Sequence, residues 1–173
     1  MSILDQDSNP LADEEALERH IRLALEVSSQ RGLELELSYQ VVKRLFNPLV
    51  LGADNVPDRP CLFVGNHSLF ALDGWILGPL LQRELGRFIR GLGDKFLFAS
   101  ETIGDYVLKR GVVMGHPEVC SALMKAGCDL MVFPGGAHEA VKPASEMYEL
   151  QWKERYGFVK LAAKHGYTIM PFG

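Results

Sequence analysis

At 173 residues and 19.3 kDa, with 47% hydrophobic and 23% charged residues and a mean hydropathy of +0.03, the chain carries enough apolar surface for one folded core. That composition excludes disorder for the bulk of the chain. A formal net charge of −4, with Lys and Arg spread thinly, supplies no basic stripe for a run of phosphates, so no nucleic-acid partner is expected. Cys61, Cys120 and Cys128 lie among apolar residues without C-x-x-C spacing and read as small buried thiols in a reducing compartment. The acidic start, Met1 to Asp7, has neither the basic flank nor the apolar stretch of a signal peptide. The greasiest stretch, Leu69 to Leu81, is interrupted by Asp73 and is shorter than the roughly 20 residues of a spanning helix. A cytoplasmic protein is expected, in peripheral contact with the inner face of a membrane at most.

In chain order, Asn9-Pro10 predicts a helix start and Gly32 a stop, giving a first helix from about residue 10 to Arg31. The stretch from Leu33 to Val41 alternates as a strand would, whereas Tyr39, Val42 and Phe46 keep helical spacing; a second helix over roughly Ser38 to Leu45 is the reading adopted. Leu49-Val50-Leu51 and Cys61 to Val64 predict strands joined by a turn-rich segment. Helices then alternate with strands: helix Leu72–Glu84, strand Phe88–Gly91, helix Phe96–Lys109 and strand Gly111–Met114. After them come a helix opened by His116 and closed by Gly127, strand Asp129–Phe133, helix Trp152–His165 and strand Thr168–Phe172. This alternation predicts an α/β fold, a three-layer sandwich with a mostly parallel sheet, over residues 46–173, preceded by an N-terminal helical segment over residues 1–45. A chain that stops at Gly173, directly after a strand, reads as a fragment lacking C-terminal elements.

Two segments at strand ends carry polar residues where open α/β sheets bind ligands. In the first, a strand ends in Gly65-Asn66 and delivers His67 and, six positions on, Asp73. On one continuous helix these two would stand about 240° apart, so they meet only if a turn intervenes and Asp73 opens the next helix. If they meet, Asp73 accepts the Nδ1 proton and leaves Nε2 to act as a base; otherwise His67 caps a turn and Asp73 a helix. The second segment runs from Phe133 through Pro134, Gly135, Gly136, His138 and Glu139. Its glycines let the backbone approach a ligand, and consecutive N–H groups there suit an anion or oxyanion; a tight strand-to-loop turn is the plainer alternative.

Together with Gly52-x-Asp54-Asn55-x-Pro57 and Ile169-Met170-Pro171, these blocks resemble the glycerolipid acyltransferase superfamily over roughly residues 45–173, most like its diacylglycerol acyltransferase and phytyl ester synthase branch. The resemblance implies transfer of a fatty acyl group from acyl-CoA or acyl carrier protein to a lipid hydroxyl, with His67 and Asp73 as the catalytic pair and no bound cofactor. It further implies substrate contacts from Asn66, Pro134, Gly135, Gly136, His138, Glu139 and Arg155. Two departures stand out. Five residues separate His67 from Asp73 where the superfamily usually has four, and Gly135 and His138 replace the glutamate and arginine of its Phe-Pro-Glu-Gly-x-Arg block. Loss of that arginine removes a bidentate phosphate clamp and favours an uncharged alcohol over lysophosphatidic acid. Lys95, Lys109, Arg110 and Lys142 are further candidates for cofactor phosphates, and Phe96, Leu97 and Phe98 for a membrane-facing patch.

Competing readings are a hydrolase and a non-catalytic lipid-binding module. Against the first, the chain has no G-x-S-x-G elbow, so water would be the nucleophile. The spacing of His20, His67, His116, His138 and His165 fits no metal motif; His116 reads as a helix cap and His165 as a helix C-terminal residue.

Overall fold

The computed structural model of the protein describes residues 10–29, 32–68, 72–146, 149–152 and 154–173, and the backbone alone of His138 and Ala144. Helix α1 (Glu14–Glu26) begins where the Asp13 carboxylate accepts the Ala16 N–H at 3.3 Å, later than Asn9-Pro10 predicts; Asn9 lies outside the described residues. It also ends earlier, at Val27, whose carbonyl accepts Arg90 Nη2–H at 2.7 Å from the adjacent strand layer. Helix α2 (Leu33–Phe46) takes in the whole ambiguous stretch. Glu34 and Glu36 sit in its first turn, Lys43 and Arg44 in its last, and Asn47 in the left-handed conformation ends it before Pro48, an order of charges and stops that suits a helix. The predicted strand Leu49–Leu51 is absent: these residues join no ladder among the described residues, and Leu49 and Leu51 stand 76% and 81% exposed. An apolar triplet without a sheet edge to join has no ladder to hold it.

Five strands form one sheet in the order β3-β2-β4-β1-β5, with every pairing parallel. They are β1 (Cys61–Val64), β2 (Ile89–Gly93), β3 (Val112–Met114), β4 (Asp129–Val132) and β5 (Thr168–Pro171), linked through α3 (Leu72–Leu85), α4 (Glu101–Lys109), α5 (Pro117–Lys125), and α6 (Gly136–Ala140) with α7 (Gly157–His165). The predicted helix Phe96–Lys109 breaks in two. Asp94 caps a 3₁₀ turn over Lys95–Phe98, and Phe98 then packs edge-on against the His20 ring, 5.1 Å away, before α4 begins. The predicted helix from Trp152 starts only at Gly157, because the preceding residues cross the sheet's carboxyl edge and bond to it.

The strands alternate their side chains between two layers. Leu62, Val64, Leu130 and Val113 pack with Leu17, Ile21 and Ala24 of α1, the buried face of α5, and Ala162 of α7. Cys61, Phe63, Met131 and Ile89 point the other way, against Leu77, Leu81 and Leu85 of α3; α2 lies on α3. The architecture is the expected α/β sandwich. At the amino ends of the central strands, Arg87 grips Asp129 through Nε (2.8 Å) and Nη2 (2.5 Å), and Asp129 Oδ1 also accepts the Cys61 N–H at 2.7 Å.

Adjacent strands β1 and β4 leave the sheet in opposite directions, β1 toward α3 on one face and β4 toward α7 on the other. Such a divergence opens a crevice at the carboxyl ends of the two strands.

Candidate active site

Both glycine-containing segments arrive at that crevice. The parallel register Val64↔Val132 continues one step further as Gly65 N–H donates to Val132 O at 3.2 Å, bringing Asn66-His67 beside Phe133-Pro134. Gly65 has a local reason: a Cβ there would stand 2.5 Å from the Phe172 ring, which follows β5 on the other side of β1. Phe172 in turn meets Phe133 edge-on at 5.6 Å, and Phe133 lies flat under the His67 imidazole, 3.9 Å between centroids and 10° from parallel.

His67 and Asp73 meet. Nδ1 lies 3.0 Å from Asp73 Oδ1 and 3.3 Å from Oδ2, with side chains 15% and 14% exposed. The turn that the spacing demands is closed by Ser68, whose N–H donates to Asp73 Oδ2 at 2.6 Å while its hydroxyl accepts the Asp73 N–H at 3.2 Å. Gly74 N–H adds a third donor to the carboxylate at 2.8 Å. A carboxylate only accepts, so in the neutral imidazole an Nδ1–H donated to Asp73 leaves the lone pair on Nε2. Asp73, in the first turn of α3, sits where a helix favours a negative charge.

The remaining candidates take different places. Asn66 is exposed, and its Oδ1 accepts the Trp152 indole N–H at 3.0 Å. Arg155 is exposed as well; its Nη1 donates to Pro134 O at 3.2 Å and Gly135 O at 3.1 Å, and no carboxylate pairs with it among the described residues. Gly136 does not offer the free N–H expected of it: that group donates to Phe133 O at 2.9 Å within the turn. His138 lies on α6, with its side chain outside the described atoms. Glu139 departs most from expectation. Its side chain is wholly buried rather than presented to a substrate, and Oε2 accepts the His67 backbone N–H at 3.1 Å.

The further cations are dispersed. Lys142 donates to Glu149 O at 2.8 Å and faces Glu139, Arg110 stacks on the Tyr106 ring at 3.8 Å, and Lys95 lies in the 3₁₀ turn after β2. Of the predicted apolar patch, Phe96 is exposed, whereas Phe98 packs against the core. His116 caps α5 by accepting the Glu118 N–H at 3.3 Å, and His165 ends α7 with Nε2 2.8 Å from Ser121 Oγ. Sequence reading missed the ring platform under His67 and the Ser68 clamp; the aromatic at the end of β4 and a hydroxyl beside the histidine are the only local signals of either.

A family described as Acyltransferase matches residues 47–173. The chain belongs to the acyltransferase family. It is 33% identical over 135 residues to phytyl ester synthase 1, chloroplastic, of Arabidopsis thaliana, covering 72% of this chain and 19% of that protein. It is 31% identical over 121 residues to the DGAT1/2-independent enzyme synthesizing storage lipids of Gallus gallus, covering 69% of this chain and 36% of that protein. The chain thus spans between about a fifth and two fifths of the length of these curated relatives. No solved structure matches. In this acyltransferase-family chain, the two departures from the superfamily pattern have visible forms: the extra residue after His67 is accommodated without losing the His67–Asp73 bond, and the space beside Gly135 is filled by Glu139. No helix among the described residues is long and apolar enough to cross a membrane.

Proposed function

We propose that the protein transfers a fatty acyl group from an acyl thioester, acyl-CoA or acyl carrier protein, to the hydroxyl of a neutral lipid alcohol such as diacylglycerol or a long-chain alcohol. The observation that carries this reading is the His67 imidazole, held by Asp73 through Nδ1 on a Phe133 platform at a switch-point crevice. A thioester is already activated, so the protein need only deprotonate the acceptor and stabilise the developing charge. His67 Nε2 takes the hydroxyl proton as the acceptor oxygen attacks the thioester carbonyl. The tetrahedral oxyanion collapses with cleavage of the carbon–sulfur bond, and the imidazolium returns its proton to the departing thiolate. No acyl-enzyme forms.

With Gly136 N–H committed to the turn, the negative charge is assigned to the Gly135 N–H and to Arg155, whose guanidinium has donors beyond the two carbonyl contacts. A neutral acceptor is favoured by the absence of an arginine at position 138 and by relatives named for a phytyl ester and for storage lipids. Exposed Trp75 near the start of α3 and Phe96 after β2 follow the carboxyl ends of strands, and with exposed Ile103 and Tyr106 of α4, whose ring meets Trp75, they support contact of this rim with a lipid surface.

The test is transfer from a labelled long-chain acyl-CoA to diacylglycerol, a long-chain alcohol, lysophosphatidic acid or no acceptor, with His67→Ala alongside wild type. Ester formed with a neutral alcohol and lost in the variant is the expected result. Product with lysophosphatidic acid alone overturns the choice of acceptor, free fatty acid with every acceptor points to a hydrolase, and an inert wild type points to a binding module.

A further inference from the structure

We infer that Glu139 is a positioning residue for His67, a third fixed point without which the imidazole keeps its partners but loses its place; this rests on the reading of His67 as the base. Asp73 holds Nδ1 and Phe133 holds the plane of the ring. Those two contacts still allow the ring to slide across Phe133 while swinging about the Asp73 bond, carrying Nε2 with it. The backbone of His67 sets the pivot, and its N–H is held by a side chain distant in sequence, Glu139 Oε2 at 3.1 Å.

The surroundings of that carboxylate are built around it. Glu139 is completely buried, although burying a carboxylate is costly without hydrogen bonds or a counter-charge. Gly135 makes the room: a Cβ at that position would lie 2.4 Å from Glu139 Oε2 and 2.5 Å from its Cβ, so no other residue fits while the carboxylate stays in place. The second oxygen, Oε1, accepts no hydrogen bond among the described residues, and Lys142 Nζ faces it at 3.9 Å. Lys142 also donates to Glu149 O, at the start of the segment that carries Trp152 to Asn66 and Arg155 to Pro134 and Gly135. One buried charge therefore links the histidine's backbone to the strap across the crevice.

Glu139→Ala and Glu139→Gln separate positioning from mere stability. In Glu139→Ala, kcat should fall on the order of 10²-fold with the KM of either substrate unchanged, the scale set by a catalytic group displaced by about an ångström. Glu139→Gln keeps an amide oxygen to accept the His67 N–H and should remain within about fivefold of wild type. The ¹⁵N–¹H resonance of the His67 amide should move upfield in the alanine variant and hold its place in the glutamine variant. Should Glu139→Ala not fold, Gly135→Ala, whose methyl displaces the carboxylate, is expected to reproduce the lowered kcat and the amide shift. A folded Glu139→Ala or Gly135→Ala with wild-type kcat overturns the inference, as does an unmoved His67 amide. The amide readout needs no turnover, so an active His67→Ala, which would sink the assignment of the base, leaves the test of Glu139 intact.

Discussion

Strands β1 and β4 carry an aspartate-centred cluster near each end, and the two ends solve different problems. At the amino end both members of the ion pair are committed. Arg87 donates to both oxygens of Asp129 and to the carbonyls of Pro57 and Arg59, while Asp129 also takes the Cys61 N–H. An open hollow of about 520 Å³ lies beside it, lined in part by Val56, Pro57, Leu85 and Arg87. Its volume lies within the usual range of ligand pockets, yet Arg87 and Asp129 at its border already hold each other and offer neither a free base nor a nucleophile. At the carboxyl end Asp73 is just as fully engaged, by Ser68, Gly74 and His67. Its partner is an imidazole, which has a second nitrogen. A guanidinium is charged at every relevant pH and only donates, whereas a histidine with one nitrogen engaged still exchanges a proton through the other. Similar carboxylates thus make a rivet at one end and a candidate base at the other.

The sharpest way to break the contrast is to exchange what each end loses. His67→Ala should lower acyl transfer about 10²–10⁴-fold while leaving the denaturant midpoint close to wild type, as measured by steady-state kinetics beside urea unfolding. Asp129→Ala should do the reverse. It strands a largely enclosed guanidinium and should cost about 3 kcal/mol of stability, with transfer by the folded fraction unchanged. A mutant with normal stability and impaired transfer would show that the amino end is not the rivet described. Smaller again, Gly65→Ala places a methyl 2.5 Å from the Phe172 ring and should cost about 1–3 kcal/mol. Because Phe172 supports Phe133, some loss of transfer should accompany the drop in melting temperature.

The mildest effect belongs to neither end. His20, on α1, is part of the packing against β3: its Nε2 accepts the Met114 N–H at 3.1 Å. Burial, helped by Arg19 and His116, holds its pKa below the ordinary value of 6.5. The unfolded chain therefore binds the extra proton first as pH falls. The contribution of His20 to stability is complete above 6.5 and is lost progressively as pH drops from there through its folded-state value. Urea midpoints measured on either side of that window should fall on the acid side in wild type and much less in His20→Gln. Elsewhere burial makes side chains inert rather than responsive, pushing the Cys120 thiol up to about 11 and the Tyr167 hydroxyl to about 12.

What the residues determine locally is legible without coordinates. The alternation of apolar runs with helical stretches specifies parallel α/β architecture, because each strand that is covered on both faces must be apolar and each return must cross a layer. The polar residues after Val64 and Phe133 mark the sheet's carboxyl edge, and the six-residue step from His67 to Asp73 forces a turn if they are to meet. Tertiary structure decided the rest. Whether Leu33 to Phe46 coils depended on end charges and a surface to pack on, since its apolar spacing suits both periods. Leu49 to Leu51 lacked a neighbour, and α1 stopped where Arg90 reached its last carbonyl. Glu139 reads as a polar residue in a ligand loop until the fold turns α6 inward and sets its carboxylate in the space left by Gly135, under the backbone of His67. Periodicity reports a residue's neighbours along the chain; the partner of a buried charge is chosen by which strands lie side by side, and that order is written in no local pattern.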